Sequence, residues 1–173
     1  MTTLALMKRI MALEADKTAA LVGLGRRSGA EEALAEADAA LDAAMRQLAA
    51  LGARYPLHMA AEADGLDATD YLLIQLALMP HVAPDHAHAL LALVRDDAPP
   101  RAAATLGPPE STPAPLTLTD AVALFGPGDD DWQAVENAIL AQRAMTAGYV
   151  AIGPDADRPL RPGLAVRELL GWP

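Results

Sequence analysis

The sequence predicts a mainly α protein: an N-terminal helical hairpin, then a winged-helix-like domain with a small C-terminal β-hairpin. Three observations predict it. Ala, Leu, Met, Glu and Arg are plentiful while β-branched residues are few, a helix-forming balance. Apolar residues recur at helical spacing in stretches separated by Gly- and Pro-containing breaks. One short stretch, residues 149–152, changes period and runs into turn chemistry at 153–157.

The totals narrow the function. At 173 residues the chain is one domain or a small pair, long enough for a real core. Aromatics are only 3%, so that core must be built from Leu, Ala, Met, Val and Ile. The net charge is −10, and residues 57–173 carry all of it, with 6 basic against 16 acidic side chains. Such a surface repels a phosphate backbone. There is no cysteine, hence no disulfide framework and no thiolate metal site. No signal-peptide pattern opens the chain, and the longest apolar run, about a dozen residues, is short of the ~20 that span a bilayer. The expectation is a soluble, cytoplasmic protein.

Residues 3–22 form a first helix with Leu6, Ile10 and Leu13 on one face. Gly23 to Gly29 is a turn, with Ser28 as N-cap of the next helix and Glu31 closing a capping box. That helix, about Ala30 to Leu51, repeats Leu34, Leu41 and Leu48 at sevens, with Ala37, Ala44 and Leu51 in the alternate seam. The seam faces either the first helix or a second copy of the chain; short loops favour the first. Residues 1–55 are therefore the hairpin, and 56–173 the second unit.

A short helix covers 57–63. The most apolar stretch, 66–97, holds two helices. Asp67 caps the first, Asp70 sits at N3, and Pro80 ends it. Pro84 opens the second, whose buried stripe is Ala87, Leu90, Leu91 and Val94. From Tyr71 to Met79 only Gln75 is polar, so this helix must be covered on every side, by the helices starting at Thr117 and Trp132. Its apolar character reads as core and not as a ligand pocket. Residues 98–115, six of them proline, form an extended loop. Thr117 caps a helix to Phe125, and Asp129–Asp131 cap a longer one from Trp132 to about Thr146. Tyr149–Ile152 pairs with a return strand, Arg158–Arg161. Pro162 starts a last helix that Gly171 ends.

These pieces resemble the winged-helix domain preceding the ATPase module in a group of bacterial AAA-type ATPases, some associated with phage-tail-like contractile injection systems. The resemblance spans 66–171. It rests on Leu66 to Leu78, Pro84 to Asp97, Thr117 to Gly126, Gly148 to Ile152 and, most specifically, Arg158 to Gly171. It implies a non-catalytic protein-interaction or adaptor module, with an AAA ATPase module in cis or trans as partner. No GxxxxGK[ST] phosphate loop is present, so the family's ATP-binding residues have no position here. The chain is either a fragment of a longer ATPase or a stand-alone component.

No catalytic, cofactor-binding or metal-ligating residue can be assigned from the sequence. His81, Asp85, His86 and His88 invite a metal, but His86 and His88 point to different sides of a helix, and Pro84 interrupts the His81/Asp85 spacing. Asp129–Asp131 with Asp155 and Asp157 lack the register of a calcium loop. Gly23-Leu24-Gly25 follows a helix, not the strand a dinucleotide site needs. Arg26, Arg27 and Arg46 read as a solvated helix end more readily than as an anion patch. The alternative function is a winged-helix transcription regulator. Its reading helix would offer only Gln133, Asn137, Gln142 and Arg143, against Glu136, with Arg158, Arg161 and Arg167 near the wing. Nucleic acid is therefore an unlikely partner.

Overall fold

A computed structural model describes residues 2–24, 26–96, 115–126 and 131–173. Among them are nine helices and one antiparallel β-hairpin, the expected fold class. The expected extended loop at 98–115 lies outside the described residues except for Pro115.

Helix α1 (Thr3–Gly23) starts at Thr2, whose Oγ1 accepts from the Ala5 amide at 3.2 Å. Its inward stripe advances by fours through Leu6, Ile10, Glu14 and Thr18. Leu13, expected on that face, is only half-buried. Steps of three and four both fit a 3.6-residue period, and packing against three neighbouring helices chooses the second.

Helix α2 (Ala30–Ala50) packs along α1. Ser28 is not its cap. Gly29 occupies that position at φ 79°, a left-handed conformation suited to glycine, and supplies no side-chain bond. Ala37, Leu41, Ala44 and Leu48 are buried, Leu34 is half-buried, and Leu51 lies past the helix end, exposed. The heptad seam is thus covered by the chain's own α1. Leu41 and Leu48, two of the three leucines through which a second copy was the other expected partner, are buried within the chain itself.

Helix α3 (Pro56–Asp64) begins with its proline and ends at Gly65, φ 62°. In α4 (Ala68–Val82), Asp67 and Asp70 form a reciprocal capping box. Pro80 does not end it. The ring removes one bond, to the Leu76 carbonyl, yet the last turn persists, and the Ala83 amide reaches Met79 at 2.8 Å. Helix α5 (Pro84–Asp96) buries Ala87, Leu90, Leu91 and Val94 as the stripe requires.

Thr117 and Asp120 form a second capping box, at the start of α6 (Leu118–Phe125). The helix expected over 132–146 is broken. Helix α7 (Trp132–Leu140), capped by Asp131, stops, Gln142 turns to ψ 149°, and a short α8 (Arg143–Thr146) follows. The break gives the Ala144 amide a partner outside its own helix: Asp70 Oδ1, at 2.7 Å.

Strands β1 (Val150–Ile152) and β2 (Leu160–Pro162) pair Val150 with Pro162 and Ile152 with Leu160. The return strand starts two residues later than expected because Arg158 sits at φ 51°, outside β space. Leu116 and Thr117 run along the hairpin: the Leu160 amide reaches Leu116 O at 2.7 Å, and the Leu118 amide reaches Arg158 O at 3.0 Å. Gly163, not Pro162, caps α9 (Leu164–Leu170).

One cluster joins all of this. Leu6 and Ile10 of α1, Leu41 and Leu48 of α2, Leu57 of α3, Leu73 and Ile74 of α4, Leu118 of α6, Val150 of β1 and Val166 of α9 share a core. A second cluster sits between α4 and α5 around Leu76, Met79 and Leu90. The cover over α4 comes from α1, α5 and the hairpin together with the expected parts: α8, the last turn of the helix expected from Trp132, and α6, whose Leu118 and Val122 share the first cluster and whose Leu124 and Phe125 pack against the second. Among the described residues no helix is long and apolar enough to cross a membrane.

Candidate functional site

The most unusual side chain in the interior is Glu14, only 3% exposed on the inward stripe of α1. Burying a carboxylate is costly unless donors surround it. Three arrive from two other helices. His58 Nε2 of α3 lies 2.7 Å from Oε1, and the Tyr71 hydroxyl of α4 donates to the same oxygen. Gln75 Nε2, one turn further along α4, donates to Oε2 at 2.9 Å.

Aromatic rings frame the group. His58 stands edge-on between Tyr55 and Tyr71, with ring centres 5.3 Å away on each side. Burial first, and then the negative charge of Glu14, push both phenols well above the ordinary tyrosine range. Both hydroxyls therefore remain protonated donors. The Tyr55 hydroxyl is buried with no hydrogen-bond partner.

The cluster forms the wall of a cavity of about 640 Å³ between α1, α3 and α4. Glu14, His58, Tyr71 and Gln75 make its polar side, and Leu21, Leu41, Leu66 and Leu72 its apolar side. Lys17, Glu62 and Asp67 stand around it. Lys17 is paired with Asp38 at 2.6 Å, and Glu62 with Arg54 at 2.7 Å. The apolar residues of α4 from Leu73 to Met79 are core, as expected, while its Tyr71 and Gln75 form a polar ridge beside a cavity. Glu14 and His58 resemble the orienting half of a hydrolytic triad. Among the described hydrogen bonds, however, no hydroxyl accepts or donates at the imidazole in a way that would make it a nucleophile.

The structure disperses the histidines read from the sequence. His86 pairs with Asp16 of α1 at 2.6 Å, His81 stacks edge-on against Trp172 at 5.7 Å, and His88 is exposed. Among the described residues no group of three or more His, Asp or Glu could hold a metal. Asp129 and Asp130 lie outside the described residues, while Asp131 serves as a helix cap. Arg27 donates to the Ala89 carbonyl at 3.1 Å, tying the α1–α2 turn to α5, and Arg46 is exposed on α2. Around the C-terminal hairpin, Arg158 pairs with Glu136 and Arg161 with Asp155 at 2.8 Å, while Arg167 donates to the Pro173 carbonyl.

Sequence reasoning missed the Glu14 cluster. Two signals pointed to it: an acid four residues after Ile10 on an apolar stripe, and Tyr71 with Gln75 at i, i+4 on an otherwise apolar helix. No family model, curated protein or solved structure matches the chain.

Proposed function

We propose that this chain is a non-catalytic interaction module, a winged-helix-like unit braced by a helical hairpin and used to dock onto another protein. The resemblance of 66–171 suggests an AAA-type ATPase module of a contractile injection system as that protein, in cis or in trans. In this reading the chain works in the cytoplasm, where ATP reaches such a partner.

The observation that carries it is the neutralised wing. A DNA-reading winged helix needs free cations beside its recognition helix. Here Glu136 of α7 takes Arg158, and Asp155 of the hairpin turn takes Arg161. Apolar side chains stand exposed instead, Trp132 at 45% and Leu164 at 67%. Exposed aromatic and aliphatic anchors suit a protein partner.

The test pairs two titrations of the full chain. Duplex DNA at physiological salt should give no retention, and a purified AAA-type ATPase module should blue-shift the emission of Trp132, with Trp132→Phe as control. DNA retention that falls steeply with added salt would instead establish the transcription-regulator reading. Nucleotide hydrolysis by the chain alone would sink the non-catalytic one.

A further inference from the structure

We propose that the cavity between α1, α3 and α4 binds a small organic cation, an alkylammonium or alkylguanidinium, with its charged end on Glu14. Its apolar chain would lie along Leu66 and Leu72.

Size comes first. A cavity of about 640 Å³ falls within the range of small-molecule sites, which pair apolar walls with a few convergent polar groups. The sign of the charge comes second. Three carboxylates line the cavity, but Glu62 is engaged by Arg54 and Asp67 by the Asp70 amide, just as its one lysine is by Asp38, which leaves Glu14 as the carboxylate with no lysine or arginine beside it. A carboxylate or phosphate ligand would meet repulsion from Glu14.

The state of Glu14 comes third. A carboxylate has roughly four acceptor positions. Oε1 takes His58 and Tyr71, whereas Oε2 takes only Gln75. No lysine or arginine among the described residues contacts it, so its countercharge within the protein is His58, and only when that ring is protonated. A ligand cation on Oε2 supplies one, in the charge-assisted geometry that strengthens most when dry. The neighbouring Tyr71 ring adds a surface that attracts cations.

Thermal unfolding and calorimetry of the full chain test this, with pentylamine and pentylguanidine as probes and hexanoate and pentanol as controls of similar length. The amines should raise the unfolding temperature in a concentration-dependent way, and the controls should not. Glu14→Gln keeps the side-chain shape and should weaken amine binding at least about tenfold. Ala61→Phe, which fills the cavity from α3 without altering the Glu14 bonds, should weaken it similarly and guards against a Glu14 variant that folds poorly. No amine response in the unmodified chain would overturn the proposal. So would an equal response to hexanoate, or amine binding that survives Ala61→Phe.

Discussion

The bond from Ala144 to Asp70 gives a quantitative test of how the second unit is held together. Asp70→Ala removes two things at once. It deletes half of the capping box on α4, worth about 1 kcal/mol. It also leaves the Ala144 amide, in a residue that is 0% exposed, without an acceptor, which costs a further ~1–3 kcal/mol. The total is about 2–4 kcal/mol. Asp120→Ala is the matched control. Asp120 closes the same kind of box with Thr117 and makes no tertiary bond among the described residues, so its removal should cost only about 1 kcal/mol. Urea unfolding followed by circular dichroism measures both. In a chain of this size the Asp70 variant should also melt about 5–15 °C lower. Amide exchange at Ala144 should lose its protection in that variant alone. Equal losses from the two substitutions would refute the assignment of a tertiary role to Asp70.

Three further substitutions probe other parts of the fold. Gly163→Ala places a Cβ 2.1 Å from the Gly148 carbonyl oxygen, so the hairpin must open; urea unfolding should show a loss above about 3 kcal/mol. Leu41→Glu puts a charge into the core at a position 8% exposed, and should destabilise by about 3 kcal/mol or more while light scattering reports an unchanged mass. Tyr149, held by burial and by its bond to Asp64, has its phenol pushed up to about 12 from an unfolded value of 10.0. The folded state then binds more protons than the unfolded one in that window. Its contribution is complete below pH 10.0 and is lost as pH rises through about 12. Tyr149→Phe should flatten the decline of the urea midpoint across that range.

The parts of the fold that were legible in the sequence are those decided within a few residues. Asp67 with Asp70 and Thr117 with Asp120 announce helix starts because both partners of each box lie on one turn. The stripe of α5 and the turn after Ile152 are equally local. What escaped depends on residues far away in the chain. The break at Gln142 exists because Asp70, 74 residues from Ala144, offers the amide a better partner than the helix does. The late start of β2 follows from the conformation of Arg158, set by pairing with the segment before α6. The Glu14 cluster is the extreme case. Its members come from three helices, and each one alone reads as an ordinary surface acid, a minor histidine or a tolerated polar residue in an apolar run.

The separation of those members along the chain has a consequence for synthesis. The hairpin of α1 and α2 is complete once residue 50 has emerged, and its leucines can close on one another immediately. Glu14, at the inner face of that hairpin, still waits for His58, 44 positions later, and for Gln75, 61 positions later. None of the donors that accompany the buried carboxylate exists until α3 and α4 have been made, so the inner face of the hairpin around Glu14 is completed only once Gln75 has been added.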